Sequence, residues 1–263
     1  MTDSPPESLA ALRARARGLR DPAALRRLVT QLRSDRRAGA QALAEVCLRR
    51  ARAGVREKRR LARLFELRAE LRRSGAQVIA GVDEVGMGPL AGPVVAAAVA
   101  LADDARLEGL DDSKKLTLPT RERLADEIRA QSLSVSICEV WPEEIDTLNI
   151  YRAGLEAMRR AVTGLGVAPD HVLVDARTIP GIQAPQTPLV GGDGRDASIA
   201  AASVVAKVHR DAIMQRLDGE FPGYGFARHK GYPTPDHLAA LRRRGPTSIH
   251  RRSFAPVAQW IQR

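Results

Sequence analysis

Two apolar runs joined by a glycine-rich turn constrain the fold of this chain more than any other feature. The stretch VIAGVDEVGMGPLAGPVVAAAVAL, residues 78–101, has strand-like segments on both sides of Gly86, Gly88 and Gly92. A third segment, LSVSICEVW at residues 133–141, alternates apolar and polar side chains as a half-exposed strand does. Three such strands in close succession predict an antiparallel meander.

The later segments add helices and a fourth strand. LPTRERLADEIRAQ at residues 118–131 predicts a helix with Pro119 in its first turn, and residues 150–165 carry an apolar stripe of helical period. HVLVDA at residues 171–176 is apolar on both faces, which is typical of a buried strand of parallel type. ASIAAASVVAKVHRDAIMQRL at residues 197–217 predicts a helix of small residues. This order predicts an α/β domain in which helices flank a mixed sheet, with a helical C-terminal region.

The excess positive charge lies in the first third of the chain. Residues 1–77 contain 20 Lys and Arg against 8 Asp and Glu, whereas residues 78–263 contain 22 against 23. Two amphipathic helical patterns fall in the basic part, and RSGAQ ends the second one. We therefore divide the chain into a basic helical extension, residues 1–77, and a second domain, residues 78–263. The extension suits a polyanion such as nucleic acid, although arginines that only solvate helix surfaces give the same pattern.

Composition and spacing argue against several other classes of protein. The longest apolar run, Pro93–Ala102, is about half of the ~20 residues that a bilayer requires, so we expect no membrane span and no membrane partner. Cys47 and Cys138 stand far apart without a metal-ligand spacing, and no signal peptide precedes them. A cytoplasmic location is therefore expected.

Four acids stand where an α/β sheet places its ligand sites. Asp83, Glu84 and Asp175 lie at the carboxyl ends of apolar strands, and Asp193 lies in the loop VGGDGRDAS. Grouped carboxylates repel each other unless a cation neutralises them, and oxygen ligands without Cys or His favour Mg²⁺ or Mn²⁺. Two such ions, held ~4 Å apart, would activate water and stabilise the leaving oxygen in phosphodiester hydrolysis.

Spacing alone leaves two questions about these acids. It does not select Asp193 over Asp196, which also fits a helix cap. Asp83 and Glu84 are neighbours, and neighbours within a strand point to opposite faces. We expect Glu84 to lie where the strand is already turning into the glycine loop, so that both carboxylates reach the same ions.

Seven motifs occur in order along the chain: AGVDEVGMGPLAGPVVAAAVAL, GLDDSKKLT, EEIDTLNIYRAGLEAMRRAV, VLVDA, GGDGRDASIAAASVVAKVHRD, FPGYGFARHKGYPTPDH and GPTSIHRRSF. Together they resemble the motifs of the bacterial ribonuclease HII family. The resemblance implies a ribonuclease H-like fold for residues 78–263, which would form the catalytic domain. It also implies hydrolysis of the phosphodiester on the 5′ side of ribonucleotides in DNA duplexes or RNA–DNA hybrids, leaving 3′-hydroxyl and 5′-phosphate ends. The helical extension is similar to one that some members carry.

The resemblance assigns the metal-binding and catalytic residues. The four acids of the family correspond to Asp83, Glu84, Asp175 and Asp193, which selects Asp193 over Asp196. They imply a two-ion site for Mn²⁺ or Mg²⁺.

Substrate-binding residues follow from the same resemblance. In the family the glycine loop, here Gly86, Met87 and Gly88, approaches the ribose 2′-hydroxyl through its backbone, which only glycine allows at such short range. Tyr232 matches the tyrosine that packs on the sugar after the ribonucleotide.

Several other polar residues fall within the motifs. Lys114, Lys207 and Arg210 match basic positions that touch phosphates in the family, but each could equally be a solvated charge. His229 and His250 could be mistaken for metal ligands, and we expect them to pack and hydrogen-bond instead.

Three positions depart from the family pattern. Met87 replaces an arginine, Gly191 replaces a lysine, and Ala176 replaces a glycine. Two cationic contacts near the scissile bond are thus missing, so an alternative function is a nucleic-acid-binding protein on the same fold with weakened or lost activity. A further alternative is a nuclease that acts only on long RNA–DNA hybrids. Neither the sequence nor the resemblance identifies protein partners.

Overall fold

The computed structural model describes residues 7–261, in two compact units that divide between Ala62 and Arg63. The sequence placed the boundary later, between residues 77 and 78. The difference arises from helix α4 (Glu66–Arg73), whose Arg68 donates hydrogen bonds to the carbonyls of Ile79 and Leu101 and so ties α4 to the second unit.

The first unit is a helical bundle built by α1 (Leu9–Gly18), α2 (Pro22–Ser34) and most of α3 (Ala38–Leu64). Ser8 and Asp21 cap the first two helices through their side chains. Small residues on α3 let the helices approach closely. The buried core consists of Leu12, Ala16, Leu25, Leu28, Val29, Leu32, Ala40, Ala44, Cys47 and Ala51.

The second unit follows the predicted order of elements, with two additions. The sequence patterns did not indicate α6 as a separate helix or the short strand β5. The elements after α4 are β1 (Ile79–Val85), β2 (Val94–Leu101), α5 (Leu118–Ala130), β3 (Ser132–Val140), α6 (Pro142–Leu148), α7 (Ile150–Thr163), β4 (His171–Asp175), β5 (Gln186–Leu189), a 3₁₀ turn (Gly192–Gly194), α8 (Ala197–Glu220), α9 (Phe226–His229), α10 (Pro235–Arg244) and α11 (Ala255–Ala258).

The five strands form one mixed sheet in the order β3-β2-β1-β4-β5. β1, β2 and β3 form the predicted antiparallel meander, and β4 is parallel to both β1 and β5. β5 is an edge strand of four residues that contains Pro188, and an edge is where a sheet tolerates proline. The predicted mixed α/β sheet is confirmed.

Helices α7 and α8 cover opposite faces of the sheet. On one face a Cβ built on Gly81 would lie 2.1 Å from the carbonyl carbon of Ser198, so the absence of a side chain lets α8 pack directly on β1. The neighbouring residue Val82 faces the other way and packs with Val174 and with Met158 of α7. Within residues 7–261 no helix has the length and apolar character needed to cross a membrane.

Candidate active site

The adjacent acids Asp83 and Glu84 lie inside β1, not in the turn that follows it. β1 continues to Val85, and Glu84 is still in register with Ala96 of β2. The prediction that the strand is turning at Glu84 is therefore wrong. The two carboxylates leave opposite faces of the strand. Both follow directly after Val82, where the pairing of β1 with Val174 of β4 ends, and so they lie near the same edge of the sheet.

Burial and mutual repulsion dominate the electrostatics of this strand end. Asp83 is 5% exposed, and burial followed by the charges of Glu84 and Asp175 raises its pKa well above the usual value. The Ser203 hydroxyl and the Glu84 N–H, which is 2.8 Å from Asp83 Oδ1, only partly offset this. Burial also raises the pKa of Glu84. The site thus holds more negative charge than its own donors neutralise.

Asp175 and Asp193 complete the group. Asp175 ends β4, and its Oδ1 accepts a hydrogen bond from the Gly192 N–H at 2.7 Å, which ties the strand to the 3₁₀ turn that carries Asp193. Burial raises the pKa of Asp193, and the charge of Lys114, whose Nζ lies 3.3 Å from Asp193 Oδ2, opposes that shift. The structure therefore brings Lys114 and all four predicted acids to one edge of the sheet.

Asp196 has a different task from Asp193. It is fully buried, and its Oδ1 accepts hydrogen bonds from the N–H groups of Ser198 and Ile199 at the start of α8. Burial raises the pKa of Asp196 to about 6. The alternative that spacing left open, a helix cap, is what the structure contains.

The four acids offer the ligand chemistry of a hard divalent cation. Glu84 Oε2 is buried and has no hydrogen-bond partner, although Arg177 Nη1 lies 3.6 Å from the other oxygen, Glu84 Oε1. Across residues 7–261, however, no three or more His, Cys, Asp or Glu side chains already form a group that could hold a metal ion. The acids therefore fit such an ion by donor type, charge and an unsatisfied oxygen, and their side chains would have to converge on it.

Two buried arginines bind main-chain carbonyls in and around the glycine loop. Arg251 donates to the carbonyl oxygens of Gly86 (2.6 Å), Met87 (3.1 Å) and Gly92 (2.9 and 3.1 Å). Arg210 donates to the carbonyl oxygens of Pro93, Ala91 and Lys230. Burial lowers the pKa of Arg251 to about 9 and that of Arg210 to about 10, and both remain cations at neutral pH.

The prediction that Arg210 touches phosphate is therefore corrected. Its side chain is fully buried, its donors are bound to main-chain carbonyls, and a Cβ built on Gly86 (φ 91°) would lie 2.3 Å from its Nε. Lys207 is half-buried on α8 and pairs with Asp211 at 2.6 Å. Arg210 thus supports the loop, and contact between Lys207 and phosphate stays a prediction.

The carbonyl orientations determine where the loop presents its N–H groups. In a trans peptide the N–H points away from the carbonyl of the preceding residue. Because the carbonyls of Gly86 and Met87 point at Arg251, the N–H groups of Met87 and Gly88 point to the opposite side. Neither N–H has a hydrogen-bond partner among the described residues.

Tyr232 lies beside this loop. A Cβ built on Gly88 would be 3.7 Å from Tyr232 Cε1, and the Tyr232 side chain is 40% exposed. The Leu90 N–H donates to the carbonyl of Gly231 at 2.8 Å, which joins the two segments through the main chain. The residues that the family resemblance assigns to the ribose and to the next sugar are thus neighbours.

Two buried histidines, His250 and His237, form a hydrogen-bond chain that ends at the main-chain carbonyl of Tyr232. The Thr247 N–H donates to His250 Nδ1 (2.9 Å), so the proton of neutral His250 is on Nε2, 3.1 Å from His237 Nε2. His237 then carries its proton on Nδ1 and donates to the Tyr232 carbonyl at 2.9 Å. Burial lowers the pKa of His237, and that of His250 to about 4, which keeps this histidine chain neutral.

His229 stacks on His237 with ring centroids 4.5 Å apart. Its Nδ1 accepts from the Gly231 N–H, and its Nε2 is 2.7 Å from the Tyr224 carbonyl. The expectation that His229 and His250 pack and hydrogen-bond is confirmed.

The sequence analysis missed two further residues of the site. The role of Arg251 was missed because an arginine in a polar motif does not reveal that it is buried. Arg177, two residues after Asp175, was missed as the cation beside Glu84, and its guanidinium lies 5.1 Å from the ring centroid of Tyr151. Arg251 lies in the motif GPTSIHRRSF, which was the only signal for it, and Arg177 follows directly after the motif VLVDA.

Comparison with known proteins gives a consistent result. The sequence profile of the family described as ribonuclease HII matches residues 80–257. The ribonuclease HII of Myxococcus xanthus (strain DK1622) is 53% identical over 233 residues, which cover 88% of this chain and 80% of that protein. A match of this length extends into the N-terminal third.

Solved structures share the fold of the second unit. The ribonuclease H2 from Pyrococcus horikoshii OT3 is 26% identical with a TM-score of 0.60, covering 71% of this chain and 98% of that one. Bst-RNase HIII in complex with Mn²⁺ is 19% identical with a TM-score of 0.52, covering 72% of this chain and 70% of that one. The predicted ribonuclease H-like fold is confirmed.

Proposed function

The chain belongs to the ribonuclease HII family and is an endoribonuclease of the ribonuclease H type, and we propose that it hydrolyses the phosphodiester on the 5′ side of ribonucleotides in DNA duplexes or RNA–DNA hybrids. The products would carry 3′-hydroxyl and 5′-phosphate ends, and a cut at a single ribonucleotide would begin ribonucleotide excision repair. The observation that carries the proposal is the loop after Glu84, in which the Met87 and Gly88 N–H groups have no partner within residues 7–261 and Gly88 lies beside Tyr232.

The cofactor in this proposal is a pair of Mn²⁺ or Mg²⁺ ions held by Asp83, Glu84, Asp175 and Asp193. Support comes from the raised pKa of Asp83, the unpartnered Glu84 Oε2, and the oxygen-only donor set. When bound, such ions activate a water and stabilise the leaving oxygen in phosphodiester hydrolysis. One precedent is Bst-RNase HIII, which was solved in complex with Mn²⁺.

The glycine loop would select the sugar. A 2′-hydroxyl is the group that distinguishes RNA from DNA, and it can accept a hydrogen bond from an N–H. In the described part of the chain the N–H groups of Met87 and Gly88 have no partner, and Gly88 has no side chain to keep the ribose away. A deoxyribose at this position would leave these donors without the partner that a ribose provides.

Tyr232 and Lys114 would position the strand on either side. The ring of Tyr232, beside Gly88, would pack on the sugar that follows the ribonucleotide. Lys114 has a side chain that is 78% exposed and lies next to Asp193, so it could contact a phosphate while staying near the acids.

The test compares three labelled duplexes in Mg²⁺ or Mn²⁺: DNA with one ribonucleotide, a full RNA–DNA hybrid, and plain DNA. We expect cleavage 5′ to the single ribonucleotide, and its loss in Asp83→Asn. Asp126→Asn makes the same chemical change at an exposed position on α5 and should cleave normally.

Two other outcomes would replace this proposal. Binding of the ribonucleotide duplex without cleavage would identify a binding protein on a nuclease fold, which the departures at Met87 and Gly191 favour. Cleavage of the hybrid alone would mean that the enzyme does not recognise single ribonucleotides.

A further inference from the structure

We propose that one face of α3 is a docking surface for the phosphate backbone of a nucleic-acid duplex. The face, called here the α3 arginine face, consists of Arg49, Arg52, Arg56 and Arg59, all of them exposed. It lies in the first compact unit and contains none of the residues assigned to catalysis. The proposal therefore stands or falls independently of the cleavage reaction.

The spacing of the four arginines aligns them along the helix. They follow each other at intervals of three, four and three residues, which keeps them within an arc of about 80° at 100° per residue. The row is about 15 Å long at 1.5 Å per residue. About 15 Å along the axis of duplex DNA holds about four phosphates of each strand, at 3.4 Å of axial rise per phosphate. The α3 arginine face thus matches a short run of phosphates in length and in number of charges.

The positive charge of this face is not neutralised by the protein. The two acids of α3 are Glu45 and Glu57, and they pair with Arg33 and Arg60 respectively. Within residues 7–261, by contrast, the members of the α3 arginine face have no hydrogen-bond or ion-pair partner. Four adjacent guanidinium groups that repel each other would gain free energy from an external polyanion.

The buried side of α3 favours a nucleic acid over a membrane as the binding partner of the α3 arginine face. Ala40, Ala44, Cys47 and Ala51 are buried in the core of the first unit, against α1 and α2. A helix that binds a membrane surface presents an apolar face to the lipid, and α3 has already buried its own. What remains exposed on α3 is mainly charge, although Val46, outside the α3 arginine face, is 41% exposed, and this charge suits a sequence-independent contact with phosphates.

The test measures binding of the full chain to a 30-base-pair DNA duplex without ribonucleotides, in EDTA, so that no cleavage occurs. Affinity is measured by fluorescence anisotropy from 50 to 200 mM NaCl for the wild type and for R49Q/R52Q/R56Q/R59Q. A matched control, R13Q/R17Q/R26Q/R27Q, removes the same charge from exposed positions on α1 and α2. Glutamine keeps the helix propensity of arginine, and circular dichroism checks that each variant is folded.

We expect the α3 variant to lower the slope of log affinity against log salt by about 3 to 4, because each lost phosphate contact removes about 0.9. Over this range the wild type would then lose about 100-fold more affinity than the variant. The control should change the slope by less than about 1, and the four-lysine variant of the face should keep most of the slope.

Equal changes in the α3 variant and the control would overturn the proposal, because net charge alone would then explain binding. An unchanged slope in the α3 variant would overturn it too. Binding of the chain to phosphatidylserine vesicles that needs this face, together with unchanged duplex binding, would assign the face to a membrane instead.

Discussion

Two substitutions of His237 separate its hydrogen bond to the Tyr232 carbonyl from its hydrogen bond with His250. An asparagine amide overlays the Nδ1 side of the imidazole, so His237→Asn keeps the donor to the Tyr232 carbonyl and loses the acceptor for His250. A glutamine amide reaches the Nε2 side, so His237→Gln keeps the acceptor and loses the donor. The two variants thus break opposite ends of one hydrogen-bond chain.

The structure gives different costs for the two ends. In His237→Asn the Nε2–H of His250 is buried with no acceptor, which costs about 1–3 kcal/mol. In His237→Gln the Tyr232 carbonyl keeps a second donor, the Thr234 N–H at 2.8 Å, so the loss is that of one ordinary hydrogen bond, about 0.5–1.5 kcal/mol. Glutamine should therefore be the less destabilising replacement.

Catalysis should show the reverse order. Only His237→Gln weakens the hold on the Tyr232 main chain, so it should raise KM for a duplex with one ribonucleotide by threefold to tenfold, about 0.7–1.4 kcal/mol. His237→Asn should leave KM within about twofold. Unfolding in urea and steady-state cleavage measure the two effects, and in a Tyr232→Ala background the KM effect of glutamine should disappear. A KM that follows stability in both variants would refute the reasoning.

Three further changes test the site. Lysine at position 251 cannot donate to three carbonyls at once, so Arg251→Lys should lower the unfolding free energy by at least about 3 kcal/mol and should also lower kcat/KM. The control Arg252→Lys, at the exposed neighbouring position, should change stability by less than about 0.5 kcal/mol. The folded state raises the pKa of Asp83, so without metal the Tm should fall as the pH rises from the ordinary pKa of an aspartate to the raised one. Asp83→Asn should flatten that fall, and a parallel fall in both proteins would contradict this. Ala176 has φ 56°, so Ala176→Gly should add about 0.5–1 kcal/mol in urea unfolding, and no gain would mean that the turn is unstrained.

Periodicity and charge predicted the elements and the acids because both are local properties of the sequence. The β1–β2 pair, the buried β4 and the small-residue α8 are visible as runs and stripes, and strand ends place Asp83 and Asp175 at one edge. β5 escaped because four residues around a proline carry no alternation. The orientation of Glu84 was misjudged because a strand may continue beyond its last apolar residue when its partner, here β2, continues beside it.

The buried cations could not be found in this way. Arg210 and Arg251 have the same composition and motif context as solvated arginines, and only the folded backbone brings several carbonyls to each guanidinium. The histidine chain is likewise assembled from residues in two separate segments. Its members can be named from the sequence, but the tautomers follow from which main-chain N–H groups reach them.

The same arginines explain how the loop can tolerate Met87 where related proteins have arginine. Arg251 orients the peptide planes of Gly86 and Met87 through their carbonyls, and the outward direction of the next N–H groups follows from that. The side chain of Met87 plays no part in it: its sulfur packs against α7, 2.9 Å from where a Cβ of Gly154 would be. An arginine at position 87 would add a cation without moving these donors. Under the proposed function, the departure at Met87 would therefore affect the affinity for phosphate, whereas recognition of the 2′-hydroxyl would depend on the arginines beneath the loop.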